Sequence, residues 1–243
     1  KYNMGFYRGP KIITDGLVFN ANAANRASFP RTGTTWIDTV GNMSGTLTNG
    51  PTFDSGNGGN IEFDGSNDIA EFGSSNLLTG DNCQTATLCG WAKWTSTDRE
   101  YIASIKRSSS NSTLLALSIN QNNSAASSAG RAAVVTRNAG NSAHIYTSYD
   151  GDYDDGVWHN IVGRVNGNDV TLFVDGIARA GSTDGMQSVT GNTAEFTIGG
   201  FAVGFAGGFF IDGNIAQVSF YRRALSSAEI LHNYNALKSR FGL

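Results

Sequence analysis

The stretch Val157 to Gly176, VWHNIVGRVNGNDVTLFVDG, constrains the fold more than any other part of the chain. Two alternating runs flank Asn166-Gly167, a pair that tolerates the positive φ of tight hairpin turns. Val170, Leu172 and Val174 share one face and Thr171 and Phe173 the other, because successive strand side chains point to opposite sides. Asp175-Gly176 marks a second turn. Strand-like segments bounded by turn signals recur elsewhere: Thr14–Phe19, Ile61–Phe63, Ile69–Phe72, Leu88–Thr95, Tyr101–Ile105, Leu114–Ile119, Ala132–Thr136, Ala143–Thr147, Trp158–Val165, Val170–Val174, Glu195–Ile198 and Ile215–Tyr221. Many short strands with no helices between them predict an all-β, antiparallel sandwich or barrel.

Composition agrees. Charged residues are 15% of the chain, against roughly 25% in an ordinary soluble domain. Gly, Asn, Ser and Thr fill the gap, which argues against a helix-rich surface of Glu, Lys and Arg. The 14 Phe, 8 Tyr and 4 Trp supply a core and exclude disorder. With only three prolines and no linker, residues 1–243 read as one domain, with 1–13 an extended N-terminal arm. One helix is expected over 226–240. Ser226 and Glu229 form a capping-box pattern, and Ile230, Tyr234, Leu237 and Phe241 make one apolar stripe, expected to lie against an edge or end of the sandwich.

The net charge of −3 does not favour nucleic acid, which wants a basic stripe. No apolar run approaches the roughly 20 residues of a membrane span. No apolar signal segment follows Lys1, which leaves the natural start open. Cys83 and Cys89 make neither a disulfide framework nor a zinc pattern, and Cys89 reads as a buried strand thiol. Asn42, Asn111 and Asn122 begin Asn-x-Ser/Thr sequons, which arise readily in a chain this rich in Asn and Ser.

Five segments in this order, DGLVFNANAAN (15–25), FDGSND (63–68), LCGWAKW (88–94), DGVWHNIVGRVNGNDVTLFVDG (155–176) and DGNIAQVSFYRRALSSAEI (212–230), resemble the laminin-G-like branch of the concanavalin A-like jelly rolls. The resemblance implies two antiparallel sheets stacked face to face. The stretches 9–53 and 234–243 are further similar to lectin-like structural proteins of tailed phages, marine ones especially. That group usually carries Asp where Asn22 stands, and cellular laminin-G-like modules often carry acids where Ala216 and Gln217 stand. The resemblance implies a virion surface or structural module with other virion proteins, or copies of itself, as partners.

Chemistry is sparse. Glu62-Phe63-Asp64 begins the Glu-x-Asp-x-Glu strand motif of some glycosidases on this fold, which need two carboxylates at a defined gap. Gly65, Ser66 and Asn67 follow instead, and Glu71 stands on another segment. There is no Gly-x-Ser-x-Gly elbow, and His144, His159 and His232 fall on a strand, a strand start and the helix. No catalytic residue is assigned. No cofactor is required, but the acidic loop carrying Asp150, Asp152, Asp154 and Asp155 is a calcium candidate, since alternating carboxylates can converge on a hard cation. The EF-hand register fails there, because Asp155 takes the glycine position and Ile161 the bidentate-Glu position. A solvated turn would use the same residues, and without a cation four clustered negative charges should leave the loop mobile.

Tyr146, Tyr149 and Tyr153 are glycan-binding candidates, since lectin-like sites lay aromatic rings against sugar faces. In the glycine-rich run 199–210, Phe209 and Phe210 are expected in the core. Phe201, Val203 and Phe205 are expected to stay exposed for a protein partner. These features combine into a non-catalytic virion decoration protein of a tailed phage, acting by adhesion. A secreted carbohydrate-binding module is the alternative and a glycoside hydrolase a third.

Overall fold

The computed structural model describes residues 11–75, 77–78, 84–107, 113–122, 124, 126–137, 143–184, 194–201 and 208–243. The strands run in chain order β1 (Leu17–Asn22), β2 (Thr35–Ile37), β3 (Ser44–Thr48), β4 (Thr52–Asp54), β5 (Asn60–Asp64), β6 (Ile69–Ser75), β7 (Thr85–Trp94), β8 (Glu100–Arg107), β9 (Thr113–Gln121), β10 (Ser127–Arg137), β11 (His144–Asp150), β12 (His159–Asn166), β13 (Asp169–Val174), β14 (Ile177–Ser182), β15 (Ala194–Ile198) and β16 (Asp212–Tyr221). They form two eight-stranded antiparallel sheets. The first follows the order β14-β13-β12-β7-β16-β5-β4, and β1 also pairs with β16. The second follows β11-β10-β9-β8-β15-β6-β3-β2. β16 is long enough to serve two partners on one flank: Asp212–Ile215 pair with β5, and Gln217–Tyr221 pair with β1.

All twelve expected segments fall on strands. The four that sequence patterning missed, β2, β3, β4 and β14, are short and polar. Three of them are sheet edges, where too few residues alternate to show a period. In the β12–β13 hairpin, Asn166 pairs with Asp169, so the turn is Gly167-Asn168 rather than Asn166-Gly167, and Gly167 takes the positive φ of 61°. Asp175 and Gly176 turn the chain into β14, both at positive φ as their types allow.

Alternation sends Val170, Leu172 and Val174 into the space between the sheets, where they join Ile161, Ile102, Leu117 and Val134. Phe19 lies edge-on to Phe72 and Phe196, with ring centroids 5.0 and 4.8 Å apart. The second sheet packs directly on the backbone of the first where β7 and β12 carry glycine. A Cβ at Gly163 would stand 2.5 Å from Val134 Cγ2, and one at Gly90 would stand 2.9 Å from Ile102 Cγ2.

The helix α1 (Ser227–Leu237) continues into a 3₁₀ turn, Lys238–Phe241. The capping box forms as patterned: Ser226 Oγ accepts from the Glu229 amide, and the Glu229 carboxylate accepts from the Ser226 amide. Arg223 grips the same carboxylate with two nitrogens, at 3.0 and 2.6 Å. The helix lies across the outer face of the first sheet, not at an edge or end. That face is apolar beneath it: Ile230 meets Cys89, Val162, Phe173 and Tyr221, while Trp91, Trp158 and Ala216 receive Phe241. Phe241 stacks on Trp91 at 4.2 Å. Of the N-terminal arm, residues 11–13 run beside this helix: the Ile13 amide donates to Asn233 Oδ1, and the Ile13 carbonyl accepts from Tyr221. Residues 1–10 lie outside the described residues.

The docked C-terminus meets two of the positions singled out in the sequence, Ala216 and Asn22. Ala216 is fully buried under the aromatic cluster, where a carboxylate would lose its water without gaining a cation. Asn22 Oδ1 accepts from Arg240 Nη1 at 3.0 Å, and the same guanidinium also donates to the carbonyls of Asn57 and Gly59.

Two stability outcomes follow. Gly163→Ala should cost about 1–3 kcal/mol in chemical denaturation, the usual range for overpacking, and Val134→Ala in the same chain should recover part of it. Asn22→Asp should add about 1 kcal/mol by converting a neutral acceptor into a charged one. That gain should vanish when Arg240 is replaced by Met.

Candidate functional site

The outer edges of the two sheets, β11 and β14, run side by side along one flank of the sandwich. At one end they meet: the Arg179 guanidinium sits 5.4 Å from the centre of the Tyr149 ring. Beyond that contact they part to leave a groove of about 410 Å³, lined by residues 144–148 of β11 and 180–184 of β14 and the turn after it. A volume of this size lies within the roughly 300–1,000 Å³ of small-molecule sites. The lining is rich in hydroxyls: Thr147, Ser148, Ser182 and Thr183, with Tyr146 as the aromatic member. Thr147 is 4% exposed, and its Oγ1 has no partner among the described residues. The far end carries His144 and Asp184. His144 Nε2 accepts from the Thr113 amide at 3.2 Å. Burial, and then the charge of Arg137, hold its pKa below the usual histidine value.

The three candidate tyrosines separate. Tyr146 lines the groove, half-buried against Val135 and Ala116 on the outer face of the second sheet. Tyr149 is exposed at the end where the edges meet. Tyr153 is 6% exposed and belongs to the core, edge-on to His159 at 5.0 Å, so its ring offers no face to a sugar. Sequence could not separate them, because one residue of β11 and one of the following loop look alike without the register.

The acidic loop does not form a calcium cage. Asp150 pairs with Arg131 at 2.9 Å across the strands, and Asp155 accepts from the Val157 amide and faces His159. Among the described residues no three His, Cys, Asp or Glu side chains gather as metal ligands. Backbone hydrogen bonds hold the loop: the amides of Gly151 and Tyr153 share the Gly130 carbonyl, and the Gly156 amide donates to the Trp94 carbonyl. His159 fastens the loop further, with Nδ1 2.8 Å from Asp175 and Nε2 3.3 Å from Asp155.

The glycine-rich run also departs from expectation. Phe201 is 4% exposed and packs on Tyr101 on the outer face of the second sheet, its amide donating to the Gly208 carbonyl. It is therefore closed to a partner. Phe209 and Phe210 are half-buried there rather than in the core, with Arg99 over the Phe209 ring at 3.8 Å. Val203 and Phe205 lie outside the described residues. Cys89 is buried, and burial pushes its thiol up to about 12, an inert state. Cys83 and Asn111 lie outside the described residues.

A second, smaller cleft of about 220 Å³ opens on the first sheet between Glu62, Lys93, Thr95, Asp212 and Asn214. Glu62 is exposed and stands across Asn214 from Lys93 in the strand register. Its would-be motif partner Glu71 belongs to β6, in the opposite sheet, so the three acids cannot act on one bond. Beside this cleft Glu100 is buried, with its carboxylate accepting from Ser96 Oγ and the Asp212 amide. Burial, partly offset by these donors, pushes its pKa up to about 7.

Two stacked antiparallel sheets with a polar groove along one flank and a helix across one face define a lectin-like sandwich module. The chain belongs to the concanavalin A-like lectin/glucanase superfamily, whose profile matches residues 63–231. No curated protein sequence matches it. Among solved structures it is similar to the sialidase of Trypanosoma rangeli in complex with sialic acid, at 18% identity and a TM-score of 0.66, over 94% of this chain and 34% of that one. It is also similar to domain 4 of AbnA, a GH43 extracellular arabinanase from Geobacillus stearothermophilus, in complex with arabinotriose. There the identity is 15% and the TM-score 0.63, over 90% of this chain and 98% of that one. The chain thus spans about a third of the sialidase but nearly all of the arabinanase domain.

Glu100 and His159 give the fold a pH dependence of one sign. Burial pulls the His159 pKa down, but hydrogen bonds and charges from Asp175 and Asp155 outweigh it and leave the value raised. Both groups therefore hold a proton in the folded state to higher pH than in the unfolded chain. Their stabilisation is full at low pH and is lost as pH rises through about 7 for Glu100 and above the ordinary histidine value for His159. The Glu100 part of this loss runs from about pH 4.5 to about pH 7, so melting temperature should fall over that range, and Glu100→Gln should flatten the fall.

Proposed function

We propose that this chain is a non-catalytic adhesion module that holds a glycan in the groove between β11 and β14, on the surface of a tailed-phage virion. The observation that carries the reading is the lining of the groove. It combines hydroxyls suited to sugar hydroxyls, an aromatic ring in Tyr146 and a buried unpartnered Oγ1 on Thr147 with a single carboxylate, Asp184. One carboxylate supports binding and not hydrolysis, since glycoside cleavage needs an acid and a second carboxylate across the bond. The arabinanase domain, crystallised with arabinotriose over nearly its whole length, supports the same class of ligand. Placement on a virion rests on the likeness of 9–53 and 234–243 to phage structural proteins. A secreted carbohydrate-binding module would use the same groove.

Glycan-array binding with the purified chain checks the reading. Tyr146→Ala should weaken the bound glycans about tenfold, the equivalent of roughly 1.4 kcal/mol for one aromatic face. Binding to no glycan, or turnover of a polysaccharide that disappears in Glu62→Gln, would overturn it. Mass spectrometry of purified particles decides the placement, and absence of the chain from any virion would leave only the secreted form.

A further inference from the structure

The groove is electrically lopsided. Asp184 lines it, while Arg179, one residue before the lining part of β14, stands over the Tyr149 ring where the two strands meet. Several other cations of the fold are held by carboxylates: Arg131 by Asp150, Lys106 by Glu195, and Arg223 by Asp15 and Glu229. Arg240 spends its donors on carbonyls and Asn22. Arg179 has no carboxylate within ion-pair distance among the described residues. Its Nε–H is buried without an acceptor, and its one direct contact of note is the Tyr149 ring. A guanidinium laid on an aromatic face keeps its in-plane N–H groups pointing outward. Buried donors left unmade cost free energy that an arriving acceptor recovers.

We infer that the groove selects glycans bearing a carboxylate, with the acid group of a uronate-type sugar docked on Arg179 beside Tyr149 and its hydroxyls read by Thr147, Ser148, Ser182 and Thr183. A planar guanidinium and a planar carboxylate match in a two-pronged, charge-assisted pair, which a neutral hydroxymethyl group cannot make. Asp184 fixes the direction of binding, because a second carboxylate at that end meets a like charge. His144, held below its usual pKa, is neutral there at pH 7 and adds no counter-charge. This inference rests on the adhesion reading above, and it names the sugar class for the same groove.

Titration calorimetry separates the two. The probes are oligosaccharides of galacturonate, glucuronate and mannuronate, each with its neutral counterpart. At least one carboxylated member should bind at least ~10-fold more tightly than its neutral partner, in a salt-sensitive way. Arg179→Gln should weaken the carboxylated members at least ~10-fold more than their neutral partners and so erase that preference. Arg179→Lys, which keeps the charge but not the two-pronged geometry, should fall between. Thr147→Val, of nearly the same shape, should weaken acidic and neutral sugars alike. Equal affinity for both sets, or a loss in Arg179→Gln that is the same for both, would overturn the carboxylate inference and leave the adhesion reading standing. No binding by either set would overturn both.

Discussion

The sandwich depends on how closely two twisted sheets approach at two glycines. Gly90 and Gly163 let Ile102, Leu117 and Val134 of the second sheet settle against the backbone of the first. Everything lateral follows from that pinch. Core side chains fill the middle of the sandwich, but at the flank the two edge strands β11 and β14 carry no common neighbour. They touch through Tyr149 and Arg179 and then separate. The groove is therefore the unfilled margin of the interior, walled by strands that the core holds rigid. Such a wall suits a binding site, because side chains on strands are positioned more firmly than those on loops.

The outer faces are treated differently. The first sheet is covered by α1 and the 3₁₀ turn after it, through stacked aromatics and one guanidinium that satisfies three acceptors. This cover leaves Ala216 fully buried on that face. The second sheet carries a mixed layer on its outer side: the Lys106–Glu195 pair, the Ser104–Thr197 hydrogen bond, and the cluster of Tyr101, Phe201 and Phe209. Polar groups buried this thoroughly require partners, and these have them.

The fold was legible because period and turn chemistry act locally. Val170, Leu172 and Val174 announce their face through spacing alone, Asp175-Gly176 fits only a turn of positive φ, and Ser226 with Glu229 marks a helix start. What could not be read depends on residues distant in sequence. Arg179 sits on a strand too polar to be noticed, and it matters because Tyr149 arrives from thirty positions upstream. Asp150 and Asp155 read as cation ligands until the fold supplies Arg131 and His159 as partners. Phe201 reads as exposed until a segment closes over the sheet. Tyr153 and Tyr149 are equivalent as letters but opposite in burial.

The place of β16 has a consequence for how the chain comes to be folded. It is the last of these strands in chain order, yet it runs through the middle of the first sheet, joining β7 on one side to β5 and β1 on the other. Until it arrives, β1, β4 and β5 have no link to the hairpins built around β7, and their hydrogen-bonding edges stay open. Assembly of this sheet is thus dominated by contacts between remote parts of the sequence, the regime in which sheets form slowly and unpaired edges invite aggregation. The edges of β1 and β5 that await β16 are the ones exposed to neighbouring chains until it pairs.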